Sequence, residues 1–338
     1  MKCEFVLPVH ANMLNCIENF GYFVSNLIIV LDQKHEYNRT NSIAAIDLFT
    51  KLNHIRLTHL TIEFTGENPL FYAGQEFLFS LSSLFIQIKH QSNGLIRYLN
   101  FREMQVNLDD DFVFHIGESC PNLEYLNILN RMLVCKVSPC SIKTLVKSCT
   151  KLQEMHLFHT SLASEALDIL SEPHRQPFKK LGIVCRREEK YGQDLSSESW
   201  TSLTKSSKHL KVDLGFDHTC PLHRVSEIMK PEIPVNDLYF ATYTTITTEM
   251  DLARQYFEHT LNTLMVHTKP DKEFEEVLLN LVRSCKKLHT LYIYGVIKQE
   301  VIDEILVMLP EMKERGSYIL RSKMDPAPWT VGEEEDGE

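Results

Sequence analysis

Ser119-Cys120-Pro121-Asn122-Leu123-Glu124-Tyr125-Leu126-Asn127-Ile128 returns as Ser148-Cys149-Thr150-Lys151-Leu152-Gln153-Glu154-Met155-His156-Leu157 and again as Ser284-Cys285-Lys286-Lys287-Leu288-His289-Thr290-Leu291-Tyr292-Ile293. All three copies read S-C-x-x-L-x-x-[LM]-x-[IL]. Their last two apolar residues flank a polar or aromatic one, the period-2 signature of a short half-buried strand, and the Ser-Cys pair closes the helix before it. Without the Cys, the φ-x-x-φ-x-φ core recurs at Val24/Leu27/Ile29, Leu57/Leu60/Ile62, Ile96/Leu99/Phe101, Phe178/Leu181/Ile183, Val235/Leu238/Phe240 and Leu261/Leu264/Val266, with a weaker copy at Leu210/Val212/Leu214. The centres Val212, Leu238, Leu264 and Leu291 lie 26, 26 and 27 residues apart, within the range of leucine-rich repeats.

A strand plus a helix cannot bury its apolar face alone, but stacked copies share one continuous core. Helices are expected between the strands. Ser138-Pro139 supplies a cap and a first-turn proline ahead of Ile142, Leu145 and Val146, and Asp271 caps Phe274, Leu278 and Leu281 in the same way. Further helices are expected over 110–117, 162–170, 198–205, 222–229, 249–259 and 299–314. The expected fold is therefore α/β, a leucine-rich-repeat solenoid (horseshoe) of about ten strand–helix repeats. It forms one domain over 1–324, followed by a Pro-rich and then acidic tail over 325–338 that is expected to be disordered.

Composition narrows the function. With 43% hydrophobic residues in 338, the chain can bury a large core, and its net charge of −10 argues against nucleic acid or an anionic membrane surface as a partner. Nine cysteines without a secretory leader at the start suit a reducing compartment, cytoplasm or nucleus. The cysteines at 120, 149 and 285 are read as small apolar groups packing between helix end and strand. The run Arg186-Arg187-Glu188-Glu189-Lys190 neutralises itself and reads as a solvated loop, and the sequon Asn38-Arg39-Thr40 is expected to go unused.

Chemical motifs are weak. His218, Cys220 and His223, or Cys135 and Cys140, could begin a metal site, yet neither group has the paired spacing that completes a zinc tetrahedron. Gly117-Glu118-Ser119-Cys120-Pro121 starts like a nucleophile elbow but lacks its last glycine and ends a helix instead of following a strand. Asp109-Asp110-Asp111 suits a helix N-terminus. No P-loop, dinucleotide fingerprint or H-E-x-x-H occurs. The expectation is a non-catalytic protein without cofactor or metal.

These cysteine-bearing repeats resemble those of F-box proteins, the substrate receptors of Skp–cullin–F-box ubiquitin ligases. Asn19-Phe20-Gly21-Tyr22-Phe23-Val24-Ser25-Asn26-Leu27, Lys208-His209-Leu210-Lys211-Val212-Asp213, Pro231-Glu232-Ile233-Pro234-Val235 and the stretch from Phe257-Glu258-His259-Thr260-Leu261 to Lys287-Leu288 are similar to the repeat half of the F-box only protein thirty-nine family. The similarity runs over about 15–322. It implies a subunit that directs a target protein to ubiquitination. The family's F-box, a helical segment opening with Leu-Pro and carrying a Trp near its end, should precede the first repeat. Here only 1–14 do so, Leu7-Pro8 is a faint echo, and both tryptophans, Trp200 and Trp329, lie elsewhere. Docking to a Skp-type adaptor and cullin is therefore expected only with an F-box upstream, and the alternative is a free-standing scaffold or competitor.

In a repeat strand the Leu/Ile positions enter the core, so the residues between them form a ladder on the concave sheet. The ladder residues expected to bind a protein substrate are Tyr125, Asn127, His156, Phe158, Tyr239, Met265, Tyr292 and Tyr294, because aromatic side chains with polar tips are common interface anchors. A competing possibility is that 317–323 or the tail folds across them.

Overall fold

A computed structural model describes residues 2–6, 11–34, 36–66, 74–91 and 94–323. Leu7-Pro8, Trp329 and the 325–338 tail lie outside these residues. Strands and helices alternate along the chain: β1 (Lys2–Val6), α1 (Ala11–Phe20), β2 (Asn26–Asp32), α2 (Glu36–Lys51), β3 (His59–Thr65), α3 (Gln75–Gln91), β4 (Tyr98–Glu103), α4 (Asp110–Ser119), β5 (Tyr125–Asn127), α5 (Pro139–Ser148), β6 (Glu154–Phe158), α6 (Ser164–Leu170), β7 (Lys180–Cys185) and α7 (Ser197–Ser206). They continue with β8 (Lys211–Phe216), α8 (Leu222–Ile228), β9 (Val235–Phe240), α9 (Thr247–Phe257), β10 (Thr263–Val266), α10 (Lys272–Ser284), β11 (Thr290–Val296), α11 (Gln299–Met308), α12 (Pro310–Arg315) and β12 (Tyr318–Arg321). Two compact units, Met1–Val212 and Asp213–Glu338, divide within β8.

In the first unit β1 to β7 pair in parallel in sequence order. The same holds from β9 to β12 in the second. This is the leucine-rich-repeat solenoid the sequence implies, and all ten expected strands are present as β2 to β11. Two more flank them. β1 pairs with β2 ahead of the first expected repeat, and β12 pairs with β11. Residues 318–321 thus lengthen the sheet at its edge instead of folding across the ladder.

The S-C-x-x-L motif has a backbone explanation. Each Cys is the residue after the last helical one, and its N–H closes the helix onto Ile116 O (2.9 Å), Leu145 O (2.8 Å) or Leu281 O (2.8 Å). Its own carbonyl then accepts the N–H of the motif's Leu, as in Leu123 to Cys120 at 3.0 Å, Leu152 to Cys149 at 3.2 Å and Leu288 to Cys285 at 3.1 Å. Ser207 makes the same two bonds after α7, to Leu203 O and from Leu210 N, both at 2.9 Å, which explains why the weaker 210/212/214 copy still forms a strand. The three cysteine side chains are wholly buried. Register between repeats comes from one carbonyl clasping two amides: Arg97 O accepts from Glu124 and Tyr125, Glu124 O from Gln153 and Glu154, and Asn262 O from His289 and Thr290.

Helix starts follow the capping residues. Asp109 accepts from Phe112 N at 3.0 Å and Asp271 from Phe274 N at 2.7 Å. Asp110 reaches Ser138 N at 2.6 Å, joining two repeats. The expected single helix over 299–314 is two, because Pro310 has no amide to donate and pushes Leu309 out of the helical region, to φ −122° and ψ 66°. Helices α1, α2 and α3 were not anticipated.

Candidate functional site

Outward positions of neighbouring strands fall into rows by register. In the first unit one row runs His59, Tyr98, Tyr125, Glu154, Lys180, and the next runs Thr61, Asn100, Asn127, His156, Gly182. Rings stack along the first of these rows, and His156 of the second tilts against them. Centroids lie 5.5 Å apart for His59 and Tyr98, 4.2 Å for Tyr98 and Tyr125 with planes within 10°, and 5.7 Å for Tyr125 and His156. Offset stacks of this kind stabilise beyond their buried area. Burial, and then the adjacent Tyr125, push the Tyr98 hydroxyl up to about 12.

His156 lies across Gly182 and bonds Glu154 Oε1 through Nε2 at 2.8 Å. A Cβ on Gly182 would come within 2.0 Å of His156 Nδ1, so the glycine is what lets the imidazole lie flat on the sheet. Burial holds the His156 pKa below the usual imidazole value, although the Glu154 bond acts to raise it.

The second unit carries a parallel arrangement. Tyr239, Met265 and Tyr292 share one row, all half-buried. Past the ends of β8, β9 and β10, and beside Tyr294 of β11, a second set of rings gathers: His218 to Tyr243 at 6.4 Å, Tyr243 to His267 at 5.2 Å, and His267 to Tyr294 at 4.1 Å with planes 3° apart. Tyr243 is 63% exposed. Its φ of 55° is the one positive value at a non-glycine among the described residues. Such backbone strain costs about 1–3 kcal/mol and persists where the surroundings enforce it. Here the Tyr243 amide donates to His267 O at 2.9 Å.

Of the expected anchors, Tyr125 and His156 stand at outward strand positions of the first unit, and Tyr239, Met265, Tyr292 and Tyr294 at outward strand positions of the second. Asn127 and Phe158 are withdrawn from solvent, at 4% and 7% exposure. Asn127 turns its Oδ1 to Leu129 N at 3.1 Å, and the Arg186 guanidinium covers the Phe158 ring at 3.5 Å. His59 and Tyr98 were missed, although each precedes its strand Leu as Tyr125 precedes Leu126; Tyr243 had no such marker.

That Arg186 belongs to the segment expected to be a solvated loop. Instead Arg187–Tyr191 forms a 3-10 turn. Arg186 Nη1 donates to Met132 O at 2.5 Å, Arg187 Nη2 to Leu133 O at 3.0 Å, and Glu188 accepts from Cys135 N at 3.1 Å. Glu189 is buried against His159 Nδ1 at 2.7 Å. The run finds its hydrogen-bond partners in backbone groups of a loop up to 54 residues away, which sequence neighbours could not show. Among the described residues His218, Cys220 and His223 do not converge on one point as a ligand set, and Ser119 is buried at the end of α4.

A leucine-rich-repeat array with ordered aromatic ladders on its strands is a protein-interaction fold. No protein-family model matches the chain. It is 30% identical over 275 residues to "F-box/LRR-repeat protein 8" of Mus musculus, covering 81% of this chain and 71% of that protein. The Homo sapiens protein of the same description is 28% identical over 331 residues, 97% of this chain and 84% of the relative. The chain belongs to the F-box/LRR-repeat family. Among the described residues no helix is long and apolar enough to cross a membrane.

Proposed function

We propose that the protein is a non-catalytic substrate-recognition subunit of a Skp–cullin–F-box type ubiquitin ligase, holding a target protein on the strand-ladder face while the assembly delivers ubiquitin. The observation that carries this reading is the set of stacked rings at outward strand positions, fixed by register and partly open to solvent, in a chain of the F-box/LRR-repeat family. Rigid aromatic groups bind partners with little loss of side-chain entropy. Residues 1–324 act as the recognition array, in the cytoplasm or nucleus, and the finer kinship is to F-box only protein thirty-nine and its relatives.

Target capture and adaptor docking are separable tasks. The test is a paired pull-down with purified Skp-type adaptor, using the 338-residue chain and the same chain fused to an F-box. Capture by the fusion alone supports a receptor array that depends on an F-box. Equal recovery by both shows that adaptor contact lies within these residues. Recovery by neither supports the free-standing scaffold.

A further inference from the structure

We infer that His159, Cys185 and Glu189 form a zinc site at the ends of β6 and β7. His159 opens the turn directly after β6, Cys185 ends β7, and Glu189 lies in the turn that follows. Their ligand atoms all lie within 4.8 Å of one another, and the residues are 2%, 0% and 1% exposed. Imidazole nitrogen, thiolate sulfur and carboxylate oxygen make a donor set suited to Zn²⁺.

A buried His–Glu hydrogen bond is the simpler reading, and it accounts for one carboxylate oxygen only. Glu189 Oε1 is buried with no hydrogen-bond partner. An unsatisfied buried carboxylate oxygen is costly, and a cation between the three groups would satisfy it. The backbone also leaves room for the carboxylate: a Cβ at Gly192 would come within 2.6 Å of Glu189 Oε2. Zinc bonds of about 2.0–2.3 Å set tetrahedral donors roughly 3.3–3.8 Å apart, so separations of no more than 4.8 Å need to close by at most about 1 Å. Binding takes neutral His159, the Glu189 carboxylate and the Cys185 thiolate, so the thiol proton leaves to solvent. One tetrahedral position remains for an exogenous ligand. The ion would join the turn after β6 to the turn that clamps the 132–135 loop.

The purified chain is stripped with chelator, reloaded with zinc sulfate, desalted and assayed for metal. Wild type is expected to retain one zinc per chain, and Cys185→Ala and Glu189→Gln are each expected to bind at least about tenfold more weakly. The double variant His218→Ala/His223→Ala should match wild type. Cobalt(II) in place of zinc should give a thiolate charge-transfer band in wild type that is lost in Cys185→Ala. Circular dichroism of the stripped variants guards against misfolding. Failure of folded wild type to retain zinc, or zinc retention unchanged in Cys185→Ala, overturns the assignment.

Discussion

Replacing Gly182 by Ala separates a steric effect from a backbone effect. The new Cβ would stand 2.0 Å from His156 Nδ1 and 2.9 Å from its Cγ and Cε1. The imidazole must therefore swing off the sheet and give up its 2.8 Å bond to Glu154. Overpacking of this kind costs about 1–3 kcal/mol, and a lost hydrogen bond about 0.5–1.5 kcal/mol. Because part of the clash is relieved by that motion, the net expectation is about 2 kcal/mol. Gly182 has no positive φ, so alanine suits its backbone, and with His156 already replaced by Ala the same change should stabilise by about 0.5–1 kcal/mol through reduced chain entropy. Urea unfolding of wild type, Gly182→Ala, His156→Ala and the double variant closes the cycle. An equal cost for Gly182→Ala in both backgrounds would refute the claim that His156 is what the glycine accommodates.

Other consequences are measurable in the same assay. Arg175 is buried and donates to Val146 O at 2.8 Å and Cys149 O at 2.7 Å, capping α5 from the next repeat; Arg175→Met should cost about 2 kcal/mol by removing both charge-assisted bonds, although Cys149 O keeps the Leu152 amide at 3.2 Å, and a loss under about 1 kcal/mol would contradict that role. Cys285→Ser should cost about 1–3 kcal/mol, since a hydroxyl replaces a wholly buried thiol, and Cys149→Ser should cost less, because Cys149 Sγ donates to Cys120 O at 3.3 Å and a hydroxyl can use the same acceptor. The depressed pKa values of His156 and His267, both due to burial, mean that the unfolded chain binds more protons. Their contribution to stability is complete above the unfolded value near 6.5 and is lost as pH falls through the lower folded values. His156→Gln should flatten this acid limb, and an unchanged slope would show that other groups set it.

Much of the array could be read from the chain because strand and cap are written locally: Leu123, Leu126 and Ile128 carry the alternation, and Cys120 or Ser207 the helix end. The helices of the first hundred residues resisted, although their strands did not, because α1, α2 and α3 lack a cap motif as plain as Ser138-Pro139 or Asp271. The candidate site was legible in part. Alternation identifies which residues leave the core, so Tyr125 and Tyr292 were found. It cannot show what later folds over them, and Phe158 is covered by Arg186, 28 residues further along. The buried His159, Cys185 and Glu189 group was invisible for the same reason, its members being joined by topology.

The ladder face is proposed to select the protein delivered for ubiquitination. The most direct measurement compares the F-box-fused chain with a variant carrying Tyr239→Ala, Tyr292→Ala and Tyr294→Ala, and with a control altered on exposed helix residues Glu198 and Glu300. Each is assembled with adaptor and cullin, and proteins that are both captured and ubiquitinated are quantified. Wild type and the helix control should modify the same proteins, while the ladder variant, with unchanged circular dichroism and adaptor binding, should lose them at least about tenfold, as expected when hot-spot aromatics are removed. Undiminished ubiquitination of those proteins by the ladder variant would contradict the proposal.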